Sequence, residues 1–279
     1  MLNHRITELL QQDVFFSDKN IDDDELLETK IYRYFRINDL IETLTTKKLK
    51  LKKPHLWNDP FENLFLKSAM KDIHGNEIDL GVTKEQIFAQ CWTLKEESGL
   101  MWSSYVHDKK GAKATSTIGS LLKIIPEHNI AFIKAVSYWS EKEIFEYFAN
   151  PLTFNVNETP LFKTLFIKRK EFEEEQEVRL VFHDMFRNCD PKSNIHIANF
   201  NRNEYKSDFA FLPIEPDLLF SEIILNPHLN EEKVEHYKNK IGKWFNGNIS
   251  KSKLYRVPNV TLIIDNTLVE PNVNKPLHG

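Results

Sequence analysis

Two carboxylates and a guanidinium, Glu175, Glu177 and Arg179, stand at alternate positions in the stretch Lys168 to His183, KRKEFEEEQEVRLVFH. On an extended strand alternate side chains point to one face, and neighbours on that face are roughly 6.6 to 6.8 Å apart along the axis. Two acids followed by an arginine can grip a polar ligand. Val178, Leu180 and Phe182 fall on the opposite face and read as core, whereas Val181 and His183 continue the acid face. The competing reading is a solvated sheet face on which Glu175, Glu177 and Arg179 screen one another, the commoner fate of a charged run. For this stretch taken alone, that blander reading is the favoured one.

Two further groups carry chemical potential. Tyr32-Arg33-Tyr34 sits in a run of strand formers, and Met101, Trp102 and Tyr105 are neighbours at the i,i+3 and i,i+4 spacing of a helical turn. Each alone reads better as core or surface. Together with the acid face they would form an aromatic slot with an arginine and a carboxylate, which suits a flat, charged ligand. Alternation sets Arg33 on the opposite face from Tyr32 and Tyr34, so one regular strand does not offer both sides to one pocket. The ten histidines are scattered, with no H-E-x-x-H or C-x-x-C, which argues against a dedicated zinc site. With eight glycines and neither G-x-G-x-x-G nor a phosphate loop, a Rossmann or nucleotide-hydrolysing machine is also disfavoured. No G-x-S-x-G elbow is present, although a Ser-His-Asp arrangement can be built without one.

The elements that must position these groups alternate without a repeat. Ile31 to Phe35 reads as a strand, followed by a helix over Leu40, Ile41 and Leu44 with Asn38 as its cap. LKLKKPHLW alternates like a short strand. At Asn58-Asp59-Pro60-Phe61-Glu62, Asp59 is a natural N-cap, Pro60 suits the first helical position and Glu62 completes a capping box. Phe88 to Leu94 has the composition of a buried strand, and Gly111 breaks the turn at Met101 to Tyr105. Ile130 to Tyr138 is a long strand candidate, Ser140 to Asn150 an amphipathic helix ending before Pro151, and Leu161 to Phe166 a further helix. His196 to Phe200, Phe220 to Leu225 and Lys253 to Val257 read as short strands, with a helix over Glu231 to Phe245. The fold class is α+β: a single domain of short strands in mixed or antiparallel sheets with flanking helices. Residues 1–29, with a short helix at Ile6, Leu9 and Leu10, form an N-terminal extension, 30–257 the domain and 258–279 a tail.

Composition bounds the class. A chain of 279 residues, 41% hydrophobic and 12% aromatic, can bury a sizeable core. A net charge of −4 gives no global basic field, while Lys47 to Lys53 leaves a local basic patch. Two cysteines, Cys91 and Cys189, fit a reducing compartment; with no export signal or membrane-spanning run, the expected location is the cytoplasm.

Five blocks in order resemble the bacterial DUF2971 family. They are Tyr32-Arg33-Tyr34; Asn58-Asp59-Pro60-Phe61-Glu62; Cys91 with Met101-Trp102 and Tyr105 to Gly111; Lys168 with Phe172, Glu175, Glu177 and Arg179; and Glu222 to Leu225. The chain departs from that pattern at Phe172, Ser104 and Asn226, where the family has Trp, His and often Gly. The family is similar to abortive-infection phage-resistance proteins, which implies a role in bacterial phage defence. A looser resemblance, an opening aromatic and basic strand and a late x-Glu-x-Glu strand, is to the ADP-ribosyltransferase arrangement. It implies NAD as cofactor, Glu177 as catalytic carboxylate and Glu175 as orienter of the acceptor nucleophile. By the same resemblance Tyr32, Arg33, Tyr34, Trp102, Tyr105 and Arg179 contact NAD, and the partner is a macromolecular acceptor, protein or nucleic acid. Two alternatives stand beside this: a noncatalytic module binding nucleotide, nucleic acid or protein, and a magnesium nuclease using Glu175 and Glu177 with a further acid.

Overall fold

A computed structural model describes residues 24–72, 74–78, 85–126, 130–150, 160–184 and 207–261. The expected helix at Ile6 to Leu10, the strand at His196 to Phe200 and the tail beyond residue 261 lie outside the described residues. The chain folds as one mixed α+β domain with a mostly antiparallel sheet and flanking helices. Its strands are β1 (Lys30–Arg36), β2 (Lys48–Lys52), β3 (Met70–Lys71), β4 (Glu77–Ile78), β5 (Ile87–Thr93), β6 (Gly111–Thr117) and β7 (Ile130–Ala135). They continue with β8 (Ser137–Trp139), β9 (Ile167–Arg169), β10 (Glu177–His183), β11 (Phe209–Pro213), β12 (Glu222–Leu225) and β13 (Asn248–Lys251). The helices that pack on them include α1 (Ile37–Thr46), α2 (Gly99–Tyr105), α3 (Ile118–Lys123), α4 (Glu141–Ala149), α5 (Pro160–Thr164) and α6 (Glu231–Ile241). Among the described residues no helix is long and apolar enough to cross a membrane.

Nine strands share one sheet in the order β11-β2-β5-β1-β6-β12-β13, with β10 on β5 and β7 beyond β10. The sheet forks at β5. One edge of β5 pairs with β10 over its whole length, from Glu177 opposite Thr93 to His183 opposite Ile87. The other edge meets β1 only at Tyr32 opposite Thr93, and β2 only at Lys52 opposite Ala89. Between those two bridges β1 and β2 diverge, and the edge of β5 at Cys91 faces a gap. That gap is where a side chain or a ligand can replace a missing strand partner.

Both faces of the central strands are covered. On one, Leu40 and Leu44 of α1, Leu121 of α3 and Val234 and Ile241 of α6 pack with Ile31, Phe35, Phe88, Leu180 and Ile223 into the main core. On the other, Phe162, Leu165 and Phe166 close over Ile87, Ala89, Phe132 and Val181. For β10 the pattern is therefore not half-solvated: Glu177 is 3% exposed and Arg179 is 0%. The solvated-face reading fails at those two residues because α5 and the chain after it cover the face that carries them.

Several element boundaries differ from the sequence reading for local reasons. Helix α1 begins at Ile37, so Asn38 lies inside it, and Arg36 takes the cap position without a side-chain bond. The candidate strand from Ile130 to Tyr138 breaks at Val136, whose N–H donates to the Glu177 carbonyl; the next N–H, of Ser137, donates to Phe166, and the chain passes to a parallel pairing of β8 with β9. Lys253 to Val257 is not a strand; the ladder parallel to β12 uses Asn248–Lys251 instead. Helix α6 stops at Ile241, with Gly242 as its cap, and Phe245 turns back into the core. The helix expected from Ser140 is α4, capped by Ser140 and Glu143 in a full capping box.

Gly111 opens β6 with its Cα against β1, and a Cβ there would stand 2.5 Å from the Phe35 carbonyl oxygen and 2.5 Å from Val106 Cγ1. Gly111→Ala is expected to lose about 1–3 kcal/mol of stability through this overpacking, read as a lower urea midpoint. His183, at the end of β10, has both ring nitrogens buried with no partner among the described residues, and its ring lies 5.5 Å from that of Phe162. Burial lowers its pKa to about 4. Between that value and about 6.5 the unfolded chain binds the extra proton. Stability should therefore fall as pH drops from 6.5 to 4, and His183→Phe should flatten that part of the curve in urea titrations at each pH.

Candidate active site

Three local structures bring charge to the fork. Asp59 caps the short 3-10 turn Pro60–Asn63 by accepting from the Phe61 N–H at 3.1 Å, and Pro60 takes the first position. The third residue does not close a capping box. The Glu62 carboxylate instead turns inward to accept from Arg179 and to pair with Lys168 at 3.2 Å. A second 3-10 helix, Lys170–Glu175, ends at Gln176 in the left-handed conformation, φ 44°, before β10 begins at Glu177. Glu175 is thus on a helix end and not on the strand, which overturns the alternating row. The turn nevertheless brings both acids to one point: Lys168 Nζ lies 2.8 Å from Glu175 Oε2 and 3.1 Å from Glu177 Oε2.

Glu177 is held on every side. Arg179 donates from Nε to Oε1 at 2.7 Å and from a terminal nitrogen to Oε2 at 3.1 Å. The other terminal nitrogen of Arg179 donates to the Leu165 carbonyl at 2.5 Å, and the Trp57 ring covers the guanidinium at 4.2 Å. Three carboxylates, Glu62, Glu175 and Glu177, share two cations, Lys168 and Arg179. Burial by itself would push the Glu177 carboxyl up, but Arg179 and Lys168 hold it down, to about 2. Burial wins at Glu62, whose pKa is raised despite Arg179 and with Glu177 adding to the effect. Lys168 and Arg179 are raised although burial opposes it, because the acids surround them. The Cys91 thiol beside Glu177 is pushed well up, first by burial and then by that negative charge.

This cluster forms one wall of a cavity of about 660 Å3. Tyr32, Arg33 and Tyr34 of β1, Trp57 to Pro60, Cys91 of β5, Tyr105 of α2 and Phe172 are among the residues that line it with Lys168, Glu175 and Glu177. Arg33 reaches the cavity despite its parity because the sheet is open there: its guanidinium donates to the Cys91 carbonyl across the gap, and its Nε is buried with no partner among the described residues. Burial lowers its pKa. Tyr105, 38% exposed, donates its hydroxyl to Glu175 at 2.9 Å. That hydroxyl is the buried end of the side chain, and burial and the Glu175 charge raise its pKa.

Of the residues singled out in the sequence, Glu175, Glu177, Tyr32, Arg33, Tyr34 and Tyr105 meet at this cleft. Trp102 does not line it; it is 3% exposed, packs edge-on to Tyr34 at 4.8 Å and donates to Glu97 at 2.9 Å. Arg179 lies behind Glu177, out of reach of a ligand, and acts through Glu177 and Glu62. Sequence reasoning missed the roles of Glu62, Lys168 and Trp57. Glu62 and Lys168 stood in the quoted blocks, but a sufficient local explanation, the cap, hid the first. Among the described residues no group of three His, Cys, Asp or Glu could hold a metal ion, and Lys168 and Arg179 occupy the space between the carboxylates.

No family model matches the chain, and no curated protein matches it, so the DUF2971 resemblance stands on its motif blocks alone. Among solved structures the chain is similar to DarT of Thermus sp. 2.9 in complex with NAD+, at 11% identity and a TM-score of 0.37, over 81% of this chain and 96% of that one. The same protein in complex with ADP-ribosylated single-stranded DNA is similar at 11% identity and a TM-score of 0.36, over 81% and 95% of the two chains. Its complex with carba-NAD+ gives 12% identity and a TM-score of 0.36, over 81% and 96%.

Proposed function

We propose that this chain is an ADP-ribosyltransferase-like enzyme that cleaves NAD and transfers ADP-ribose to a macromolecule, acting in the bacterial cytoplasm in phage defence. The catalytic domain is residues 30–257, with 1–29 as an extension and 258–279 as a tail. The observation that carries the reading is an ionised, preoriented Glu177 beside a cleft whose opposite side offers aromatic rings and a buried arginine nitrogen without a partner among the described residues. The cavity fits a dinucleotide in kind: its volume lies within the range of small-molecule and cofactor sites, the Arg33 Nε is a donor for an anionic group, and Tyr105 presents a ring at the rim.

In this reading the ribose–nicotinamide bond breaks with its electron pair leaving on nicotinamide, and positive charge develops on the ribose. Glu177, fixed by Arg179 and Lys168, opposes that charge without reorganising. Glu175 at the rim orients the acceptor, whose nucleophile forms the new bond to the ribose carbon and releases its proton to solvent. The defence role is supported by the DUF2971 resemblance. The test is incubation of the protein with labelled NAD and cell extract, wild type against Glu177→Gln, following released nicotinamide and label on protein or nucleic acid. Release by wild type and its loss in the variant support the reading.

One observation favours a second reading, a noncatalytic binding module: both oxygens of Glu177 are already engaged by Arg179 and Lys168. NAD binding by calorimetry without turnover would favour that module, and no binding at all would sink the NAD reading.

A further inference from the structure

The lysine-rich strand β2 divides its cations by face. Lys47 and Lys53, flanking the strand, are engaged by Glu215 and Glu85. Lys48, Lys50 and Lys52 stand exposed on the strand's other side, with Leu49 and Leu51 buried between them; none of the three has a carboxylate partner among the described residues, although Lys52 Nζ donates to the Leu56 carbonyl at 3.0 Å. Strand β11 lays an apolar row against them in register: Pro213 opposite Lys48, Phe211 opposite Lys50 and Phe209 opposite Lys52. Phe211 is 49% exposed, and Lys50 Nζ lies 4.0 Å over the Phe209 ring.

Directly opposed residues share a face. Lys52 opposes Ala89, and Ala89 opposes Val181, so the Lys and Phe rows lie on the same side of the sheet as Cys91, Glu177 and Arg179. A second cavity of about 290 Å3 joins them to the candidate site, since Arg33, Tyr34, Lys52, Gln90 and Tyr105 line both cavities. Arg36 adds a cation to its wall, and Asp39 and Glu42 are the acids there. Cations therefore outnumber acids in this strip, although the chain as a whole carries a net charge of −4.

We propose that the exposed face of β2 and β11 is a track for single-stranded nucleic acid that leads an acceptor strand to the cleft; the acceptor part rests on the NAD reading above, the binding part does not. Exposed lysines at strand spacing follow a phosphate backbone, and the exposed Phe211 ring opposite Lys50 gives a stacking platform that only unpaired bases can use. An acidic peptide would use the lysines but not the rings.

The test is fluorescence anisotropy of the full chain with labelled mixed-sequence single-stranded DNA, single-stranded RNA and the corresponding duplexes. Single strands should bind in preference to duplexes, and the two single-stranded arms identify which nucleic acid is taken. Phe211→Ala should weaken binding about tenfold, and Lys48→Ala with Lys50→Ala should lower the slope of log affinity against log salt by about 1.4. Nicotinamide release without nucleic acid, measured in parallel, should be unchanged in these variants. Strand binding by a wild type that neither binds NAD nor releases nicotinamide would sink the NAD reading and leave the track standing. No single-strand binding, equal binding of duplex, binding indifferent to Phe211 and the lysines, or capture of a poly-glutamate peptide in place of the strands would overturn it.

Discussion

Arg179→Leu is expected to cost about 3–5 kcal/mol of stability, a large part of what holds a domain of this kind together. The guanidinium is fully buried and bonds at once to Glu62, Glu177 and the Leu165 carbonyl. Removing it leaves three carboxylates on Lys168 alone and orphans a buried carbonyl oxygen. The loss comes from the groups left behind more than from the ion pair itself, which yields a second expectation within the same experiment. Adding Glu62→Gln to Arg179→Leu should return part of the loss, because one of the stranded charges is gone. Urea unfolding of both variants checks this; a double variant less stable than the single one would show that Glu62 contributes through packing and not through charge balance.

The second large effect is on turnover. If Glu177 opposes positive charge on the ribose, Glu177→Gln should reduce nicotinamide release by about 10²–10³-fold, while the amide still accepts from Arg179. Glu175→Gln, at the rim with its carboxylate bonded to Lys168 and Tyr105, should reduce transfer to the acceptor more than release of nicotinamide. Urea midpoints measured beside the rates separate chemistry from folding. A Glu177→Gln protein that stays folded and keeps wild-type release would remove that carboxylate from the chemistry.

Much of the scaffold was legible because it depends on local pattern: β1, β2, β5 and helix α4 follow from alternation, strand composition and the amphipathic run that ends before Pro151, whereas the capping box at Ser140 and Glu143 emerged only in the structure. The site was legible in its members but not in its geometry. Glu175 and Glu177 read as one row of a strand, yet a left-handed Gln176 separates a helix end from a strand start, and nothing in a glutamine announces φ above zero. Alternation alone sets Arg33 on the face opposite Tyr32 and Tyr34. What admits it to the same cleft is the absence of a strand between two bridges on β5, a property of tertiary pairing that no single segment encodes. The covering of Arg179 by Trp57 and the inward turn of Glu62 are likewise long-range, and a local capping explanation concealed the latter.

The order of the main sheet also bears on how the chain reaches it. Among the described residues no antiparallel ladder of that sheet joins strands adjacent in the chain: β1 waits for β5 and β6, β5 and β7 for β10, β6 for β12, and β2 for β11. Each ladder must close a long loop before it gains any hydrogen bond, the condition that places proteins among slow folders, on the millisecond-to-second scale. During synthesis the lysine-bearing edge of β2 therefore emerges long before Phe209 to Pro213 can cover its neighbouring backbone. Its charges then serve the nascent chain as well as the finished one, since a row of lysines on an unpaired edge discourages pairing with the wrong strand.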